Sequence, residues 1–481
     1  MSERERQSRF DADNEVVVMK FGGTSVQDGA AIRRLIGIVQ GRDKYQRVVV
    51  VSALARVTDQ LLEAGQFAAE GRLGAALALA RDLYVRHEYL ADELLQNGVH
   101  AGLQAELHKE FADLEALLLR LDSTRDLDPR SQDRLLGFGE CLASQLVQAA
   151  LQEAGVTAVH VDARACIVTD DAHGQASPLW EETNFKSQEA LCPALENGRV
   201  PVLGGFIAAN CHGVPTTLGR GGSDFSAAIL GAALSASRVE IWTDVDGIMT
   251  TDPKLCPDAR VIRKMSFEEA AELAYCGAKV LHPATLAPAM RANIPVYVLN
   301  SQRPEGEGTE IASRTRVNRD ISAIALKRKV TLVDISAPHA AQSPLPNNVF
   351  DVFSKHSCPV DLLATSPGRI SLLVASSSSL PGIATDLKGQ ALVHWETHKA
   401  LVSVVGESLR RQPEVASQLF AAVSDLNVRV LCQGASDRAI SFLVDEQKAE
   451  ESVQRLHALF FPQIPPQKDW GGISAAFCQA G

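Results

Sequence analysis

Several absences narrow the field before any motif is read. No apolar run in the 481 residues is long enough to span a bilayer, so no membrane partner is expected. The opening stretch MSERERQSRFDADNE is charged and has no apolar segment of the signal-peptide kind, and residues 1–14 read as a frayed polar tail. The nine cysteines (141, 166, 192, 211, 256, 276, 358, 432 and 478) include no Cys-x-x-Cys pair and no Cys/His cluster at zinc spacing. Free thiols in a reducing cytoplasm account for them. Excess positive charge is lacking too: the net charge is −11, which argues against nucleic acid as a partner but leaves room for cations gathered in one pocket. Neither the P-loop spacing nor the dinucleotide fingerprint G-x-G-x-x-G occurs.

What is present is ordinary globular composition, 46% hydrophobic and 22% charged, in a chain too long for one hydrophobic core. Two or more domains are expected. Up to about residue 300, apolar strand-like runs (EVVVMKF, RVVVVSAL, VTAVHVDA, RVPVLGGFIA, RVEIWTDVDGI, NIPVYVLN) alternate with helical ones. One helix starts behind a plausible Asp28 N-cap, a long helical region covers about 58–120, and another helix runs through LLGFGECLASQLVQAALQEAG. Strands apolar throughout and alternating with helices predict an α/β domain with a mainly parallel sheet sandwiched by helices. The polar stretch 301–320 reads as a boundary. Beyond it two βαββ-like repeats of roughly 70–80 residues predict paired small α+β modules.

Two glycine-rich stretches carry the chemistry. VVVMKFGGTSV, residues 16–26, runs a strand into a lysine and two glycines, which is either a tight turn or a loop whose bare N–H groups hold phosphate. The second, TTLGRGGSDFSAAILGAAL at 216–234, leaves an extended segment and enters an apolar helix with Ser223 or Asp224 expected at its cap. Glycine admits a ligand close to the main chain, a helix start favours an anion, and Arg220 offers a planar fork for carboxylate or phosphate. Two such loops, one with lysine and one with arginine, favour anion binding over simple turns.

KFGGTSV, GFGE, TLGRGGSDFSA, WTDVDGIMTTDPK and GAKVLHPAT, in this order and spacing, resemble the aspartokinases, of the amino-acid kinase fold. The resemblance covers essentially the whole chain, is closest to the monofunctional lysine-sensitive class, and makes the repeats tandem ferredoxin-like ACT modules. It implies a catalytic domain over 15–315, a first ACT module at 330–400, a second from 320–329 with 401–465, and a tail at 466–481. The implied reaction passes the ATP γ-phosphoryl group to the β-carboxylate of L-aspartate, giving 4-phospho-L-aspartate on the route to lysine, threonine, methionine and isoleucine. That nucleophile is already an anion, so cations, backbone donors and positioning must supply the rate.

Carried over by resemblance, Lys20 bridges the β/γ-phosphates beside Phe21, Gly22 and Gly23, and Lys279, next to Val280, is the second phosphate-side cation. Asp224 holds the catalytic lysine in line. Thr243, Asp244, Met249, Asp252 and Lys254 address the nucleotide; the family usually has tyrosine at Met249 and often arginine at Lys254, so weaker adenine binding is expected. Arg220, with Gly221, Gly222 and Ser223, takes the aspartate α-carboxylate, and Glu140 the α-ammonium. Ser52 and Thr58 match the substrate loop, although Leu54 and Arg56 between them depart from its small-residue pattern, as does Ala143. Asp162, Arg164, Thr169 and Asp171 are expected to support the pocket, and His282 to be structural. Mg2+ accompanies ATP, held mainly by the phosphates, with no protein metal ligand assigned. At the effector site, His339, Leu345, Val360, Asp361 and Ser366 are the matching positions. Pro344, Leu345 and Pro346 replace the family's glycine and bulky apolar pair, and Pro367 replaces an acid, so lysine inhibition is expected to be weakened, altered or absent. A homodimer or dimer of dimers through the ACT modules is implied. Glutamate or acetylglutamate phosphorylation is disfavoured by the Arg220/Glu140 pairing and the tandem repeats. A catalytically dead amino-acid sensor is disfavoured by the intact Lys20, Arg220, Asp224 and Lys279.

Overall fold

The computed structural model describes residues 15–278, 283–313, 320–337, 348–433 and 436–462. The chain divides into two compact units, Met1–Ile248 with Val261–Asn318, and Met249–Arg260 with Arg319–Gly481.

In the first unit, β1 (Val16–Phe21) is buried at every position, as a strand covered on both faces must be. Asp28 then caps α1 (Gly29–Gln40), its carboxylate accepting from the Ala31 N–H at 2.8 Å. After β2 (Gln46–Val51) the chain forms α2 (Val57–Ala69), α3 (Leu73–Leu94) and α4 (Asn97–Thr124). The long helical region expected over 58–120 is thus three helices. The first break is at Gly71, whose φ of 84° no continuing helix can hold, and the second follows Leu94, where Leu95 turns extended. Asp128 caps α5 (Pro129–Glu153), with proline at its first position. There follow β3 (Ala158–His160), β4 (Val168–Thr169), α6 (Trp180–Glu196), β5 (Val200–Gly204), β6 (Ile207–Asn210), β7 (Pro215–Thr217), α7 (Gly222–Ala233) and β8 (Arg238–Thr243). The unit closes with β9 (Lys264–Ser266), α8 (Phe267–Tyr275), α9 (Pro283–Arg291), β10 (Val296–Asn300) and β11 (Thr309–Ala312).

Eight of these strands form one sheet in the order β3-β5-β2-β1-β8-β10-β11-β9, parallel except between β10 and β11. The mainly parallel α/β expectation is met. β1, β2, β5 and β8 are neighbours pointing the same way, so Phe21, Val51, Gly204 and Thr243 deliver their following loops to one edge, where an open α/β sheet keeps its ligand crevice. The core on one side joins Val17, Met19 and Phe21 to Leu35, Leu61, Leu83, Leu118 and Leu142. A separate three-stranded sheet, β4-β6-β7, carries the chain into Gly219–Gly222.

The second unit is one six-stranded antiparallel sheet, ordered β13-β14-β12-β15-β17-β16. Its strands are β12 (Ile321–Ser336), β13 (Val360–Ser366), β14 (Arg369–Val374), β15 (Leu392–Gly406), β16 (Val430–Gln433) and β17 (Ala439–Asp445). The helices are α10 (Val349–Lys355), α11 (Leu380–Asp386), α12 (Pro413–Ala422) and α13 (Ala449–Phe460). β12 and β15 are long because each serves two halves, and both are interrupted by a left-handed residue, Lys329 (φ 57°) and His398 (φ 57°). One half packs Val333, Phe353, Leu372 and Ile383; the other packs Ile324, Val402, Leu419, Phe442 and Leu456. Segment 249–260 belongs here as well. Thr250 O accepts from Ile324 N at 2.7 Å, its hydroxyl lies 3.0 Å from His457 Nε2, and Cys256 joins the second core.

Candidate active site

A cavity of about 420 Å³ opens at the carboxyl ends of β1 and β2. It gathers Lys20 and Gly23 from the first glycine loop, Ser52 from the turn after β2, Thr58 from the first turn of α2, and Glu140 from α5. Gly219, Gly221, Gly222, Ser223 and Asp224 come from the second loop. The two glycine loops therefore face one crevice. Arg220 lies between two lining glycines and is itself exposed at the rim.

Lys20 is 8% exposed, and its Nζ lies 2.6 Å from Asp224 Oδ1. This pairing corrects the expected helix start: the N-cap of α7 is Gly221 at φ 73°, a left-handed position that suits glycine, and no side chain caps it. Asp224, in the first turn, turns to the lysine instead. Of the first-turn N–H groups of α7, that of Gly222 is taken by Gly219 O at 3.0 Å, which leaves those of Ser223 and Asp224 for an anion.

Glu140 is buried, 4% exposed, on α5 among the buried apolar side chains of Phe138, Cys141 and Leu142. Oε1 accepts from the Ala53 N–H at 3.2 Å, while Oε2 is buried with no hydrogen-bond partner among the described residues. Burial pushes its pKa up to about 8, against the smaller opposing pulls of the Ala53 N–H and the Lys20 charge. An unpaired buried carboxylate oxygen in a cavity wall is a receptor for a cationic donor.

Phe21 and Gly22 lie beside β8: the Gly22 N–H donates to Trp242 O at 3.0 Å. Thr243 and Asp244 follow at the end of β8, the Thr243 hydroxyl 3.3 Å from Asp244 Oδ1. None of these four lines the cavity, which ends at Lys20 and Gly23. Met249, Asp252 and Lys254 sit on the segment built into the second unit. Lys279, Val280 and His282 lie outside the described residues, as do His339 and Leu345. Val360, Asp361 and Ser366 are on the edge strand β13, where Asp361 Oδ2 is 2.7 Å from Lys327 Nζ. Asp162 and Arg164 form an ion pair away from the cavity, while the Thr169 hydroxyl meets Thr216 of β7 at 2.7 Å and Asp171 accepts from Asn210.

Other participants escaped sequence reasoning. Gly204 and Gly205 let β5 reach the site: a Cβ there would come within 2.9 Å of Glu140 Cβ and 2.7 Å of Ser223 Cα respectively. Phe206 lines the cavity with φ 65°, and Asp133, 1% exposed, fixes the approach to the second loop. The third Gly-Gly pair, directly after an apolar strand, was the available signal for the first of these.

Residues 15–300 match the amino acid kinase family and residues 402–460 an ACT domain. Among curated relatives, the lysine-sensitive aspartokinase 3 of Escherichia coli is 35% identical over 93% of this chain and 100% of its own length. The chain belongs to the aspartokinase family. Aspartokinase 3, chloroplastic, of Arabidopsis thaliana is 35% identical over 92% of this chain and 81% of its own. The crystal structure of E. coli aspartokinase III with aspartate and ADP superposes with a TM-score of 0.82 at 34% identity, over 93% of this chain and all of that one. The same protein with lysine and aspartate gives 0.78. As an aspartate kinase, the enzyme uses ATP to phosphorylate aspartate, and the cavity is to be understood against that reaction.

Proposed function

We propose that the cavity between the two glycine loops is where the β-carboxylate of L-aspartate meets the γ-phosphoryl group of ATP. The observation carrying this reading is the shared enclosure of Lys20, Glu140 and the start of α7. Lys20 and the Gly23 N–H hold the β/γ-phosphates, with Phe21 and Gly22 shaping the loop beside them, since the Gly22 N–H is engaged by Trp242 O, and with Lys279 and Val280 as a second contact. Asp224 keeps Lys20 in line through its 2.6 Å pair. Glu140 Oε2 receives the α-ammonium, Arg220 at the rim receives the α-carboxylate with Ser223, Gly221 and Gly222, and Ser52 and Thr58 border the side chain. Thr243, Asp244, Met249 and Lys254 address the nucleotide.

A carboxylate oxygen then bonds to the γ-phosphorus as the bond to the β,γ-bridging oxygen breaks and ADP leaves. No proton moves, so positioning and charge neutralisation are the whole task. Among the described residues no three carboxylate, histidine or cysteine side chains converge. The Mg2+ that neutralises ATP is assigned mainly to the phosphates, whose oxygens suit a hard cation.

The second unit is read as interlocked ACT modules, 330–400 and 320–329 with 401–465, carrying an amino-acid effector site at His339, Leu345, Val360, Asp361 and Ser366. The strand β13, which ends the sheet among the described residues, supports a homodimer or dimer of dimers through the first module. No helix among the described residues is long and apolar enough to cross a membrane, and a cytoplasmic enzyme is the reading this supports. A coupled hydroxamate assay offering aspartate, glutamate and acetylglutamate in turn tests the assignment. Product with aspartate alone is expected, and its absence for aspartate would refute it.

A further inference from the structure

The turn after β2 holds a residue that the reaction described above does not use. Arg56 lines the cavity, precedes α2, and has φ 71°. A left-handed conformation is strained for a side chain of this size, and such strain persists where the surroundings enforce it, characteristically at functional sites. Two of the left-handed non-glycine residues, Arg56 and Phe206, border this one cavity.

The surroundings do enforce it. Arg86 donates from Nη1 to Ala55 O at 2.9 Å and from Nη2 to Gln27 O at 3.1 Å, and the Val57 N–H closes the turn on Leu54 O at 2.9 Å. The same turn is stitched to both halves of the site. The Ala55 N–H donates to Gly23 O at 3.2 Å, and a Cβ at Gly23 would lie 2.9 Å from Ala53 O, while the Ala53 N–H serves Glu140. Residues 53–56 thus wedge between the lysine-bearing loop and the ammonium receptor, the seam at which carboxylate and phosphoryl must meet.

Charge points the same way. The Lys20 ammonium is already engaged by Asp224. Arg56 is exposed to the cavity and makes no ion pair among the described residues; Asp59, three residues on, lines the same wall. Transfer brings an anionic oxygen onto an anionic phosphoryl group, and a planar guanidinium with free donors is suited to the charge that spreads over the equatorial oxygens. We infer that Arg56 is a further substrate-contacting residue of this enzyme, an arginine supplied from its own turn to the phosphoryl group in transfer. The inference rests on the placement of the reaction in this cavity.

Three substitutions separate charge from backbone. Arg56→Gly and Arg56→Asn both suit a left-handed position and remove the cation, while Arg56→Lys keeps the charge without the fork. Steady-state kinetics and thermal melting are measured on the full chain, with Lys20→Ala and Arg220→Ala beside them. Arg56→Gly and Arg56→Asn are expected to melt no lower than the parent and to lose roughly tenfold or more in kcat/KM for aspartate, with Arg56→Lys in between. Activity within about twofold of the parent in either neutral variant overturns the inference, because charge would then not be the cause. If Lys20→Ala and Arg220→Ala are also without effect, the placement of the reaction falls; if they disable the enzyme while the neutral variants do not, only the role of Arg56 falls.

Discussion

The Thr217 hydroxyl, at the end of β7, donates to the buried Oδ1 of Asp133 on α5 at 2.6 Å. The same carboxylate is 2.7 Å from His173 Nδ1 and accepts the Gly174 N–H at 3.0 Å. Gly174 and Gln175 in turn pack on Gly219, where a Cβ would come within 2.8 Å of Gln175 Cγ. Asp133 therefore fixes the strand and loop that present Arg220, and it lies two helical turns from Glu140 on α5. One helix sets the spacing between the two ends of the proposed aspartate site.

Thr217→Val is expected to loosen that spacing. It should raise the aspartate KM roughly tenfold with little change in ATP KM, and cost about 1.5–3 kcal/mol of stability through the lost hydrogen bond to a charged group, Oδ1 keeping only the Gly174 N–H. Thr217→Ser should restore both. Initial rates with each substrate varied in turn, together with urea unfolding, check this.

Glu140 supplies a pH signature. Its folded pKa near 8 lies above the ordinary 4.5, so the folded state holds the proton more tightly. That contribution is present below the unfolded value and is lost as pH rises through about 8. Glu140→Gln should melt several degrees higher than the parent at pH 9, with no such gain at pH 4, while losing aspartate affinity. Aspartate binding at pH 7 should release a proton, visible by calorimetry in buffers of different ionisation heat.

The segment proposed to address the nucleotide should respond to a residue far along the chain. His457 and Thr250 are both buried and 3.0 Å apart, within the second unit. Removing this hydrogen bond by Thr250→Val is expected to raise ATP KM about fivefold with aspartate KM held, the equivalent of roughly 1 kcal/mol. Met249→Tyr should lower ATP KM by restoring ring stacking. An ATP titration of each variant decides.

Effector binding is expected to be weak. Asp361, the carboxylate that would meet a lysine ammonium, is paired to Lys327 at 2.7 Å. Calorimetry should find no L-lysine binding tighter than about 1 mM in the parent. Lys327→Met, which frees the acid while keeping the apolar stem, should tighten it roughly tenfold. Tight binding to the parent would contradict this.

Local pattern was enough for much of the enzyme. The apolar β1, the Asp28 cap, the alternation that makes a parallel sheet and the two glycine loops were all legible, because each depends on residues within a turn or two of one another. The motif set was sufficient to place the chain among the aspartokinases. Tertiary structure alone decided the rest. From the first turn of α7, Asp224 pairs with Lys20, more than two hundred positions away, instead of capping the helix. The partnerless Oε2 of Glu140, the strained turn that holds Arg56, and the anchoring of 249–260 on α13 likewise depend on close approach between distant segments. Burial, strain and unpaired charge are properties of packed surroundings, which neighbouring residues in the chain do not specify.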